Sequence, residues 1–184
     1  VGIQETFIKE RPKEAQAVGL EASAGKGMEK VTVDDASVFL ARFAGGKNVA
    51  AGAYGTFEAT RLAPGHKNYN KWEINGSEGT LGFCFERMNE LEYCDRRDAA
   101  DKPGFKTIMV TQSSHPYFGA WWPPGHVIGY EHTFVHSIVD FVNAVATGAD
   151  VRPDFLDGAK CVAVLEAATA SRKEKCWVKV PTVK

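Results

Sequence analysis

The chain has 184 residues, of which 44% are hydrophobic and 24% charged, and its formal net charge is -1. Such a length and apolar content support one ordinary domain, residues 1–184, with a sizeable core, while the near-neutral balance excludes the charge excess that drives binding to nucleic acid or anionic membranes. No apolar stretch approaches the roughly 20 residues of a membrane helix, and Val1-Gly2-Ile3-Gln4-Glu5-Thr6 lacks the charged-then-apolar layout of a signal peptide, so neutral small molecules or proteins are the expected partners.

Val1, Ile3 and Phe7 alternate with polar neighbours, which predicts a strand over residues 1–9 that Arg11-Pro12 stops. A start in mid-strand without Met hints that residues upstream are absent from the sequence, a processed terminus being the alternative. Residues 12–30 are rich in Ala, Gly, Glu and Lys, too poor in large apolar groups to offset the entropy of ordering, and a long mobile loop is expected there. Within residues 31–46, Val38, Leu40 and Arg42 alternate against Phe39, Ala41 and Phe43 before a glycine-rich turn. The returning strand, residues 51–61, puts Ala53, Gly55, Phe57, Ala59 and Arg61 on one face.

After a polar linker, residues 71–83 read as two short strands around Asn75-Gly76-Ser77-Glu78-Gly79, where Asn and Gly tolerate the backbone that a tight turn needs. Further strands are expected at residues 83–85, 91–94 and 105–111. Phe134, Val135, Ile138, Val139, Phe141, Val142 and Val145 then recur with a helical period over residues 131–146, and Gly148 caps that helix. A second helix, residues 154–172, offers Val162, Ala163 and Leu165 as its buried stripe, and residues 177–180 close as a short strand. Strands gathered first and helices last imply an α+β fold, an open sheet with helices against one face.

Cys84, Cys94, Cys161 and Cys176 show no Cys-x-x-Cys spacing, so neither a zinc knuckle nor a redox pair is suggested, and four scattered thiols fit a reducing cytoplasm. Gly-x-Gly-x-x-Gly, a phosphate-cradling Gly-Lys-Ser/Thr loop and the Gly-x-Ser-x-Gly elbow are all missing. His132 and His136 share a helix face, but Thr133-Phe134-Val135 between them lacks the Glu of a zincin and no third ligand is near, so no metal site is assigned. The stretch from Pro116 to Phe134 is the most unusual. Its Pro and Gly residues make a stiff loop that delivers Trp121, Trp122, His126, Tyr130 and His132 to the start of a helix. Aromatic planes beside His and Tyr donors suit a polyol or sugar; a loop packed under its own Trp rings accounts for the composition equally well. Arg61, His66, Lys67, Asn68 and Asn70 form a second polar cluster, readable as substrate donors or as a solvated turn, while Asp34-Asp35 and Asp95-Arg96-Arg97-Asp98 read as surface charge.

Taken in order, Val33-Asp34-Asp35-Ala36-Ser37-Val38-Phe39-Leu40-Ala41-Arg42-Phe43, Gly55-Thr56-Phe57-Glu58-Ala59-Thr60-Arg61, Glu73-Ile74-Asn75-Gly76-Ser77-Glu78-Gly79-Thr80-Leu81 and Arg87-Met88-Asn89-Glu90-Leu91 resemble the C-terminal domain of the Gfo/Idh/MocA family of NAD(P)-dependent oxidoreductases. The loop Trp121-Trp122-Pro123-Pro124-Gly125-His126 and the run Gly129-Tyr130-Glu131-His132-Thr133-Phe134 resemble a branch acting on sugars and cyclitols. The resemblance implies an open, mixed, mainly antiparallel sheet of the dihydrodipicolinate-reductase-like kind, helices on one face and the other free to form a homo-oligomer. It implies a parent that transfers a hydride between NAD or NADP and a secondary alcohol, with an N-terminal Rossmann domain as this chain's partner. The family's Glu-Lys-Pro motif and its Asp/His helix do not occur here, so no catalytic or cofactor-binding residue is assigned, and the chain alone is expected to be inactive and to bind no cofactor. Only a substrate-pocket role carries over, to Arg61, His66, Asn68, Trp122, His126, Tyr130 and His132. The competing expectation is a non-catalytic carbohydrate-binding or scaffold module.

Overall fold

The computed structural model describes residues 1–19 and 21–183. Its strands and long helices run in the order β1 (Gly2–Glu5), β2 (Glu10–Val18), β3 (Glu21–Lys30), β4 (Ala36–Arg42), β5 (Tyr54–Thr60), β6 (Lys71–Asn75), β7 (Gly79–Cys84), β8 (Glu90–Asp95), β9 (Lys106–Met109), α1 (Tyr130–Thr147) and α2 (Phe155–Glu174). The fold is α+β, and every strand pairing among the described residues is antiparallel. Two compact units are present: Val1–Pro64 with Arg152–Lys184, and Gly65–Val151. No described helix is long and apolar enough to cross a membrane.

In the first unit the sheet order is β1-β4-β5. The alternation in β4 sets its register: Phe39 lies opposite Phe57, and their rings stack with centroids 4.7 Å apart. Helix α2 begins at Asp154, whose Oδ1 accepts the Asp157 N–H at 2.9 Å, a side-chain cap on an otherwise orphaned donor. It lies against β1, and its buried residues are Ala163, Ala167, Ala168 and Ser171, while Val162 and Leu165, two of the three residues expected in the stripe, are exposed. Small side chains win that face because the backbones come close: a Cβ on Gly2 would sit 3.6 Å from the Ala168 carbonyl oxygen. Arg172 Nε donates to the Gln4 carbonyl at 2.9 Å and Gln4 Nε2 to Thr169 Oγ1 at 3.3 Å, which pins the same contact.

Three expectations change here. Residues 12–30, read as a loop, contain the antiparallel ribbon β2–β3, with Glu10 opposite Lys30 and Ala17 opposite Ala22. Sparse apolar content correctly leaves this ribbon without a core, its described side chains being almost all exposed, but backbone pairing needs no core to satisfy its own donors and acceptors. Asp35, read as surface charge, is 3% exposed. Its Oδ2 accepts the Ile8 N–H at 2.8 Å and its Oδ1 an Arg11 Nη2–H at 3.2 Å, so the carboxylate is buried because it ties the foot of the ribbon to the sheet. Those bonds, the one from Ile8 foremost, hold its carboxyl below the usual Asp range. Residues 177–180, read as a strand, join no ladder among the described residues; Trp177 instead lies under the Arg42 guanidinium, 5.6 Å from the ring centre.

The second unit is built on the sheet β6-β7-β8-β9. Gly79 makes the β6–β7 turn possible. At φ 158° it brings its backbone so close to β8 that a Cβ would lie 2.1 Å from the Cys94 carbonyl oxygen. Asp95, also read as surface charge, takes the Tyr93 hydroxyl on Oδ2 at 2.8 Å and both Arg97 Nε at 2.9 Å and Nη2 at 2.7 Å, which holds its carboxyl well below the usual range. Helix α1 ends at Gly148 in the left-handed conformation, φ 69°, as its sequence predicts. Its apolar residues Phe134, Ile138, Phe141, Val142 and Val145 are exposed.

Candidate functional site

The loop leading into α1 is held by its own rings. Tyr117 sits in the left-handed region at φ 64°, a costly conformation for a bulky side chain. Two contacts stabilise it: the ring stacks on His136 at 4.1 Å and the hydroxyl donates to Asp140 Oδ2 at 2.6 Å, which raises the phenol pKa. Beyond the 3-10 turn Phe118–Ala120, Trp121 donates Nε1–H to His136 Nε2 at 2.5 Å and sets its ring edge on His132 at 4.4 Å. An indole nitrogen only donates, so neutral His136 carries its proton on Nδ1.

His132, one helical turn earlier, has the opposite tautomer. The Gly129 N–H donates to its Nδ1 at 3.0 Å, so the neutral ring carries its proton on Nε2. The His132 N–H returns a bond to the Gly129 carbonyl at 3.2 Å, and together they cap α1. Glu131 Oε1, 3.4 Å from the same Nδ1, would accept only from a ring protonated there, the Nδ1–H tautomer or the imidazolium, and the Gly129 N–H selects against both. His126 places Nδ1 2.8 Å from the Pro123 carbonyl; a carbonyl only accepts, so Nδ1 is protonated and Nε2 of the neutral ring is an acceptor. Trp122 is 72% exposed, with its ring 6.0 Å from that of His126. Tyr130 is edge-on to Phe85 at 5.7 Å and to Phe134 at 5.0 Å. The segment thus offers an uncovered aromatic plane, a ring acceptor and a ring donor, the set that a polyol uses. One nitrogen of His132 and one of His136 are already taken by N–H donors, and no group of three or more His, Cys, Asp or Glu among the described residues is placed to hold a metal.

The second expected cluster is divided between the two units. Arg61 is exposed in the first unit, its backbone N–H donating to the Asp35 carbonyl at 2.8 Å. His66 and Asn68 lie in the second unit around Glu86, a residue the sequence reading missed. Glu86 Oε1 accepts the Lys67 N–H at 2.6 Å, the Asn68 N–H points to the same carboxylate, and His66 Nδ1 stands 3.4 Å from Oε2. The Lys67 bond leads in holding the Glu86 carboxyl below its ordinary value. His66 also stacks on Tyr69 at 3.8 Å. A cleft of about 230 Å³ runs beside this loop, lined by Tyr69, Lys71, Phe83, Glu86, Arg87 and Glu92. That is smaller than most ligand pockets, and of its carboxylates Glu86 is answered by Lys67 and His66 and Glu90 by Arg87, so His66 and Asn68 close the loop around Glu86. A larger groove, about 420 Å³, runs along α2 and contains none of the candidate residues.

A family model described as the GFO/IDH/MocA C-terminal domain matches residues 4–82. Levoglucosan dehydrogenase from Pseudarthrobacter phenanthrenivorans is 38% identical over 182 residues, covering 97% of this chain and 45% of that protein. The chain carries a Gfo/Idh/MocA C-terminal domain. Among solved structures, an oxidoreductase domain protein from Kribbella flavida is 47% identical with a TM-score of 0.85, over 98% of this chain and 45% of that one. Levoglucosan dehydrogenase in complex with NADH and levoglucosan is 37% identical with a TM-score of 0.83, over 99% of this chain and 44% of that one. This Gfo/Idh/MocA chain therefore spans a little under half the length of the relatives it matches. The family match ends within β7, so the Trp122–His132 segment lies beyond it, within the whole-chain likenesses.

Proposed function

We propose that this chain is the substrate-binding and oligomerising part of an NAD-dependent dehydrogenase that oxidises a secondary alcohol of a sugar, anhydrosugar or cyclitol. The observation that carries the reading is the exposed Trp122 ring beside His126, whose Nε2 is an acceptor, on the loop that runs into α1, where His132 keeps an Nε2–H donor. A sugar lays its C–H face on such a plane while neighbouring hydroxyls donate to one nitrogen and accept from the other. The likeness to a protein whose complexes hold NADH and levoglucosan supports the same substrate class.

Held by a Rossmann domain partner, NAD⁺ would supply the acceptor for the carbinol hydride, with the hydroxyl proton released. Neither long helix here is suited to the nucleotide's pyrophosphate: the N-terminus of α2 is filled by Asp154 and Asp157, that of α1 by the His132 ring beside Glu131. The cofactor is therefore assigned to a Rossmann domain partner, and no step is routed through residues of this chain. Exposed apolar side chains on the sheet of the second unit and on α1, Ile74 and Phe141 among them, support self-association of the parent. The test is turnover by the full-length protein with NAD⁺ and levoglucosan, read as NADH formation. Failure to oxidise levoglucosan and every member of a panel of monosaccharides, anhydrosugars and cyclitols overturns the reading.

A further inference from the structure

Asn89 stands in the Arg87-Met88-Asn89-Glu90-Leu91 segment, just before β8, and its half-buried side chain meets a single residue of the aromatic loop. Its Nδ2–H donates to the Ile128 carbonyl at 2.8 Å and its Oδ1 accepts the Ile128 N–H at 2.9 Å. A carbonyl only accepts and an N–H only donates, so the amide orientation is forced. One side chain thereby satisfies both backbone groups of one residue, as a paired strand would. Its own carbonyl accepts the Val110 N–H at 3.0 Å, which roots it at the end of β9. The next residue after Ile128 is Gly129, whose N–H is the donor to His132 Nδ1. His126 and Tyr130 each lie two residues from Ile128.

We infer, resting on the reading of this loop as a sugar site, that Asn89 is a positioning residue: by clamping Ile128 it aims the Gly129 N–H at His132 and so holds that ring as an Nε2–H donor to a substrate hydroxyl. Asn89 touches no substrate. Without the amide, rotation about the Ile128–Gly129 segment removes the donor from His132 Nδ1, and the ring is free to exchange tautomers or to turn toward Glu131.

The test uses the full-length protein with ¹⁵N-labelled imidazoles, the His132 signals being assigned by their loss in His132→Gln. In the parent, His132 is expected to show protonation on Nε2 alone and His136 on Nδ1. Asn89→Asp is nearly isosteric; it keeps the bond from the Ile128 N–H and sets oxygen against oxygen at the other, so His132 is expected to show mixed tautomers while His136 is unchanged. KM for the sugar is expected to rise about tenfold with kcat changing much less. Should that variant not fold, Asn89→Ser removes the clamp without adding charge and reads the same signals. An Nδ1 proton on His132 in the parent, or an unaltered His132 in the variants, overturns the inference whatever KM does. A changed His132 with an unmoved KM leaves the clamp standing and overturns the sugar-site reading instead.

Discussion

Adjacent tryptophans in one loop are expected to respond to substitution in opposite ways. Trp121 is half-buried, donates to His136 at 2.5 Å and sets its edge on His132. Trp121→Phe keeps most of the ring but deletes the donor and leaves His136 Nε2 without it. The lost bond and the unanswered acceptor together cost about 2 kcal/mol, which in a chain of this size lowers Tm by roughly 4–8 °C. Trp122, at 72% exposure, has little packing to lose, so Trp122→Ala changes stability by no more than about 0.5 kcal/mol. If a sugar stacks on that ring, the same change forfeits about 1 kcal/mol of binding, a rise in KM of roughly fivefold at constant kcat. Thermal unfolding and steady-state kinetics on both variants read the two effects separately. A Trp122→Ala variant that loses as much stability as Trp121→Phe and keeps its KM would refute the reasoning, because the ring would then serve only to pack its own loop.

Acid should release the foot of the β2–β3 ribbon. The Asp35 carboxyl is held below its ordinary value of 3.8, so its contribution is present above that value and is lost as pH falls through the lower folded one. The Tm difference between parent and Asp35→Asn is therefore expected to be largest near neutrality and to shrink below about pH 4; a difference independent of pH contradicts the ion pair. Ala167→Leu forces a larger side chain between α2 and β1 and should cost about 1–3 kcal/mol by chemical denaturation, whereas Leu165→Ala on the exposed face should cost far less. Gly79→Ala, whose Cβ has no room against the Cys94 carbonyl, should cost about 3 kcal/mol or prevent folding; an unaffected Tm contradicts that turn geometry.

The sequence shows its structure most plainly where local chemistry and pattern agree. β4 and β5 follow from alternation beside a glycine-rich turn, β6 and β7 from the turn at Gly79, and α1 from its apolar period and Gly148. What stayed hidden depends on partners far along the chain. Nothing in the run Asp34-Asp35 says that Ile8 and Arg11, 27 and 24 residues away, bury the second carboxylate. The α2 stripe was assigned by hydrophobicity, yet the decisive quantity was the closeness of β1 at Gly2, which selects Ala and Ser. In the candidate site, the Trp and His residues were visible as an unusual segment, but the tautomers of His126 and His132 depend on single backbone C=O and N–H groups. Asn89 and Glu86 act through such groups from another part of the unit, and only their place beside quoted motifs could have drawn attention to them.

The crystal structure of the full-length protein with NADH and levoglucosan tests the central claim most directly. The account predicts the sugar lying with a C–H face on Trp122 and with hydroxyls within hydrogen-bond distance of His126 Nε2 or His132 Nε2. A sugar bound beside the nicotinamide and touching none of Trp122, His126, Tyr130 and His132 contradicts it.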